Sequence, residues 1–186
     1  MTKPFDYARA TRKSLADLRL TLATTDEITE GREIARRTVG PAIATVETLG
    51  RIQDRTQSSS FAYRGADGRL AGVICIVPLT AAAGPTLAAG VFDGIEPPED
   101  MAARPGDPVI AVYGWGMAGV TWRGRAVVMA GALKIQREIY ASVPLFGRAA
   151  TPGGERTLLK RMGARVVPGP GGLVVCPVWS ATRKVA

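Results

Sequence analysis

Apolar residues along the chain recur with two periods, and each change of period marks an element. Leu18, Leu20 and Leu22 alternate with Arg19 and Thr21, which predicts a first strand over residues 18–23. The polar residues before it, 1–17, are expected to form a loosely held arm. Thr25 or Asp26 can cap a helix that runs to Val39, with acidic residues in its early turns and Arg36-Arg37 in its last. Gly40-Pro41 breaks that helix, and Pro41 suits the first turn of a second one. Ile43, Val46, Leu49 and Ile52 give the second helix its apolar side, to about Gln57.

Two strands come next, 58–65 with Phe61 and Tyr63 on one face and 70–77, which is almost continuously apolar. The Asp67-Gly68 pair between them predicts a hairpin turn. Pro78 is expected to end the second strand. Residues 80–106 form a long insertion, with one short helix expected inside it. Residues 107–120 then read as a strand thinned by Gly114, Gly116 and Gly119, a pattern that marks a bulge or a close approach to the backbone. From Ala126 the period changes: Val128, Ala132, Ile135 and Ile139 line one side of a helix, opposite Lys134, Arg137 and Glu138. A strand over 142–150, a helix opened by Thr151-Pro152 and closed by Gly163, and strands at 164–167 and 173–178 complete the pattern.

The strand–helix junction at residues 107–140 organises the rest. A helix start leaves backbone N–H groups unpaired and carries partial positive charge, so it suits an anion. Gly124 and Ala126 allow a close approach there, and Arg123 and Arg125 can pair with phosphate. The same residues also read as a plain turn with two solvated arginines, and a short glycine run does not choose between the two.

Thr121-Trp122-Arg123-Gly124-Arg125-Ala126, set between an apolar strand and an amphipathic helix, resembles the acyl-CoA loop of the GNAT superfamily of N-acetyltransferases. That loop reads Q/R-x-x-G-x-G/A; here Gly124 and Ala126 match, and Thr121 replaces the leading Gln or Arg. The order of elements over residues 18–178 also resembles that family, as does the ending Met162-Gly163-Ala164. The resemblance implies an α/β fold with a mixed, mostly antiparallel sheet of about seven strands and about four helices. It implies a single domain over 18–179, followed by a polar tail at 180–186. It implies acetyl-CoA or another acyl-CoA as cosubstrate, bound by Met117, Ala118, Thr121, Arg123, Gly124, Arg125 and Ala126, and a small-molecule or peptide amine as acceptor. Backbone N–H groups near Met117 and Ala118 would stabilise the thioester oxygen as it becomes negative.

Many family members carry a tyrosine acid where this chain has Leu159, and an asparagine where it has Pro152. Glu155, Asp107 or a carboxylate acting through water are the candidate bases, and Tyr113 and Tyr140 the candidate proton donors. None is assigned a catalytic role. A catalytically silent acyl-CoA-binding or interaction domain is therefore an alternative. Acyl-homoserine-lactone synthases share the architecture and a long segment before the central strand, but their signature residues are not evident here.

Composition narrows the field further. At 186 residues the chain is long enough to bury one core, and it contains no histidine, which excludes a histidine base, dyad or metal ligand within it. Cys75 and Cys176 sit in apolar surroundings without metal-ligand spacing and are expected as free thiols. Net charge is +8, yet the basic residues are scattered with little aromatic interleaving, which disfavours nucleic acid as a partner. No apolar run spans a bilayer and no secretory segment opens the chain, so a cytoplasmic protein with no membrane partner is expected; a homodimer is left open.

Overall fold

The computed structural model describes residues 5–178. One open seven-stranded sheet runs in the order β1-β2-β3-β4-β5-β7-β6. Its strands are β1 (Leu20–Leu22), β2 (Ser60–Arg64), β3 (Leu70–Leu79), β4 (Ala111–Gly119), β5 (Leu145–Gly147), β6 (Arg165–Val166) and β7 (Val174–Cys176). Every pairing is antiparallel except β4 with β5. The mixed α/β class and the mostly antiparallel sheet expected from the sequence are those of the structure. Six α-helices are described: α1 (Tyr7–Ala16), α2 (Thr25–Val39), α3 (Val46–Thr56), α4 (Gly84–Ala88), α5 (Trp122–Glu138) and α6 (Pro152–Arg156).

Strand alternation builds a layer on each face. Phe61, Tyr63, Ile74 and Val112 point to the side covered by α5 and α1, where Leu15, Val128, Ile135 and Tyr140 join them. Ala62, Val73 and Ala118 point to the side covered by α2 and α3, with Ile28 and Leu49. No helix among the described residues is long and apolar enough to cross a membrane.

The first correction is at the N-terminus. The arm expected over residues 1–17 contains α1, capped by Asp6, with Leu15 fully buried. Thr11 donates a hydrogen bond to the Tyr140 hydroxyl at 3.1 Å, Ser14 donates to Glu138 at 2.9 Å, and Tyr7 stacks on Tyr140. The buried face of α1 is made largely of small and polar residues, so its apolar signal is weak. The tail at 180–186 lies outside the described residues.

Smaller corrections reflect local geometry. Arg19 adopts a left-handed backbone (φ 57°) in the turn after α1, which delays β1 to Leu20. Thr24 caps α2, and its side chain and that of Glu27 form a reciprocal capping box. Pro41 is not helical: α3 starts at Val46 under Thr45, and the Ala44 carbonyl before it accepts from Arg32. Pro78 does not end β3. Its carbonyl faces the segment at 101–103 and accepts from Ala103, so its missing N–H lies on that side and not against β4. Residues 80–106 hold α4 and two short 3₁₀ turns, and Leu87, Phe92, Ala102 and Ala103 anchor them in the core.

Candidate functional site

β4 leaves its neighbours by stages. Against β3 the register shifts between Cys75 and Ile76, so that Gly116 pairs with Cys75 and Gly114 with Ile76; Trp115 is the extra, bulged residue. Against β5 the pairing covers only Val112 to Gly114. Beyond the bulge, Val120 N–H donates to the Ala71 carbonyl. Alternation then turns the N–H of Ala118 toward β3 and that of Met117 away from it, to the side β5 has vacated. Of the two amides expected to meet an oxyanion, Met117 is free to do so and Ala118 belongs to the ladder.

The separation opens a cleft of about 1180 Å³ that reaches both faces of the sheet. On the α2 side its wall includes Ile28, Gly31, Arg32, Trp115 and Ala118; on the α5 side it includes Met129, Leu133, Gln136, Leu158 and Met162. Part of the insertion, Val91 to Ile95, forms a strap across the first side. Arg148 clips the strap down, donating to the Phe92 carbonyl at 2.6 Å, the Gly171 carbonyl at 2.6 Å and the Tyr113 hydroxyl at 3.3 Å. Trp115 adds a bond from its indole N–H to the Gly94 carbonyl at 2.5 Å.

The helix start differs from the expected loop. α5 begins at Trp122, so Arg123 to Ala126 are its first turn. Thr121 is the N-cap, its hydroxyl accepting from Gly124 N–H at 2.9 Å, and Arg125 N–H bonds the Thr121 carbonyl. Trp122 and Arg123 therefore keep unpaired amides. Arg123, Arg125 and Ala126 are exposed, and Trp122 is 76% exposed. Gly124 is buried, and a Cβ there would collide with the Ala71 carbonyl. Its lack of a side chain lets α5 lie on β3. Among the residues expected to bind a cofactor, Met117 and Ala118 wall the cleft, whereas Thr121 and Arg123 to Ala126 sit at the helix start outside that wall.

The titratable groups sort as clearly. Tyr140 is core: burial pushes its hydroxyl up to about 12, and Thr11 holds it. Tyr113 borders the cleft, its pKa raised by burial and opposed by the bond from Arg148. Asp107 is used locally, accepting from Arg104 N–H, and Glu155 rims a smaller pocket beside Leu159. Within the cleft wall, Glu27 accepts from Thr24 N–H and from Arg64, and Asp93 accepts from the Ile95 and Glu96 amides. Neither carboxylate is free. Cys75 and Cys176 are free thiols, and the described residues hold no cluster of metal-ligating side chains.

Three features escaped the sequence reading. The Tyr113–Arg148 contact spans 35 residues and leaves no local trace. The turn after α6 widens into a π turn over Thr157–Arg161, which places Leu158 on both the cleft and the smaller pocket and Leu159 on the smaller pocket. Gln136 was passed over, although it is a polar residue on the stripe shared with Met129, Leu133 and Tyr140, a signal that could have found it.

No protein-family model matches the chain, and no curated protein is significantly similar to it.

Proposed function

We propose that this protein is an N-acyltransferase that moves an acyl group from an acyl-CoA, acetyl-CoA being the simplest, to an amine. One observation carries the reading: β4 bulges at Trp115 and parts from β5 after Gly114, so that the unpaired Met117 amide opens into a cleft between the two strands. An extended thioester arm entering that gap finds a backbone donor for its carbonyl oxygen. The α5 start, with unpaired amides at Trp122 and Arg123 and the guanidinium groups of Arg123 and Arg125, suits the pyrophosphate.

In the reaction the neutral amine nitrogen attacks the thioester carbon and a C–N bond forms. Negative charge moves to the carbonyl oxygen, toward Met117 N–H. The C–S bond then breaks, the amine proton passes to solvent or base, and the thiolate takes a proton. The products are an amide and free CoA. Tyr113, kept protonated by burial, is the one tyrosine in the wall whose hydroxyl is not committed to the α1 contact.

The engaged state of Glu27 and Asp93 favours a second reading, a domain that binds acyl-CoA without turnover. Calorimetry with acetyl-CoA and mass spectrometry of a mixed-amine reaction test both. Binding with acyl-amide product and CoA release supports the first; binding without product supports the second; absence of binding removes both.

A further inference from the structure

The side of α5 that looks into the cleft carries Met129, Ala132, Leu133 and Gln136, and Tyr140 follows just after the helix. The Tyr140 hydroxyl is taken by Thr11, which leaves Gln136 as the polar group of the stripe. Gln136 is only 8% exposed, and its side-chain amide makes no hydrogen bond within the described residues. Ser60 Oγ is the one side-chain atom among them that is both sealed from solvent and unpaired, so the Gln136 amide still reaches open space. Gln136 itself and its helical neighbours at positions 129, 132 and 133 wall the cleft, and that is the space it reaches. Such an amide has two donors and two acceptor sites and gains nothing from the fold, which a residue of the same shape without polar atoms would serve better.

We propose that Gln136 is a catalytic residue whose Nε2 donates to the carbonyl oxygen of the donor's thioester. The assignment rests on the acyl-CoA reading above. Position along the helix supports it. Gln136 lies fourteen residues beyond the start of α5 at Trp122, about 21 Å along the axis. Helical side chains lean back toward the N-terminus, which shortens the span to the amide. Gln136 and Met117 wall the same cleft, and the backward lean carries the Gln136 amide toward the level of Met117 on β4. With Met117 N–H it forms a pair of donors for the oxygen that gains charge as the C–N bond forms and loses it as the C–S bond breaks.

The test compares acetyl-CoA with CoA, which lacks the carbonyl. Gln136→Leu and Gln136→Met, both of similar size and without a donor, are measured by calorimetry in the full chain. The expected result is an acetyl-CoA affinity about tenfold weaker in both variants, with CoA changed less than about twofold. The ligand-free Gln136→Leu protein should melt at the same or a higher temperature than the native protein. Binding of both ligands by the native protein with an unchanged affinity ratio in the variants overturns this assignment alone, as does a lower melting temperature for Gln136→Leu with equal losses for both ligands. A native protein that binds neither ligand overturns the acyl-CoA reading and this assignment with it.

Discussion

Two helix starts in this protein use the same four-residue grammar and reach opposite ends. Thr121 accepts from Gly124 N–H at 2.9 Å to open α5, and Thr151 accepts from Gly154 N–H at 3.0 Å to open α6. At α5 the glycine faces β3, where a Cβ would strike the Ala71 carbonyl, and Gly72 of the same strand lies against Val128 and Gly124. At α6 a Cβ on Gly153 or Gly154 meets nothing nearer than the Thr151 hydroxyl, at 3.9 and 3.3 Å. One start is closed by packing and continues for 17 residues; the other ends after five and widens into a π turn beside the cleft. A glycine at a helix start is therefore ambiguous until its opposite surface is known.

Substitution at the two glycines should separate them most widely. Gly124→Ala forces α5 off β3 and is expected to cost about 3 kcal/mol or more. Gly153→Ala is expected to be neutral or to stabilise by up to about 1 kcal/mol, because it adds helix propensity without a clash. Denaturant titration of both variants checks the pair. Equal costs would show that the α5 contact with β3 is not as tight as its geometry. A bulky residue at position 124 is consequently a poor probe of phosphate binding; Arg123→Ala with Arg125→Ala tests that surface without disturbing the buried contact.

The far end of α5 gives a pH-dependent view of the closed side. Tyr140, just after the helix, is buried between α5 and α1 and its pKa is raised from 10.0 to about 12. The folded state keeps a proton that the unfolded chain releases more easily, so this contribution is complete below about pH 10 and is lost as pH rises toward 12. Urea midpoints across that window should fall in the native protein. Tyr140→Phe should start lower, having lost the Thr11 bond, and show a shallower decline. An unchanged slope would place the titrating group elsewhere.

The caps should differ less than the glycines. Thr121→Ala removes an acceptor from a long, packed helix and should cost about 1 kcal/mol. Thr151→Ala acts on one turn whose residues are mostly exposed, and should cost about half as much. Larger loss at Thr151 would mean that α6 is held by more than its own turn.

How much of this was legible depended on the range of the interactions. Strand alternation, the Asp67-Gly68 turn and the Thr151-Pro152 start are local, and they led to the seven-stranded mixed sheet. α1 was missed because Thr11 and Ser14 are buried through partners more than a hundred residues away. The packing role of Gly124 was not legible because the residue it faces, Ala71, belongs to another strand. Met117 and Ala118 were singled out together through the glycine-thinned strand, but only the β4 register separates them, the Ala118 amide belonging to the ladder and that of Met117 facing away from it. The strap clipped by Arg148 joins three distant segments and had no sequence signature.

The π turn supplies the finest distinction between the two helix starts. The resemblance drawn from sequence puts Leu159 where many acyltransferases carry an acid, yet of the two leucines it is Leu158 that reaches the cleft wall; both border the smaller pocket with Pro152 and Glu155. A π turn takes in an extra residue and so rotates the later side chains about the helix axis. If the proposed acyl transfer holds, Leu159→Tyr should leave its rate within about twofold, since position 159 does not line the cleft, whereas Leu158→Tyr should raise the rate several-fold at neutral pH, below the roughly hundredfold of a fully positioned acid. A phenol with a pKa near about 10 stays protonated there, and the departing thiolate gains a donor. The gain should fade above about pH 10 as the introduced tyrosine ionises. A rate increase at Leu159→Tyr with none at Leu158→Tyr would mean that the helix continues in α geometry in solution, and the two helix starts would then differ in packing alone.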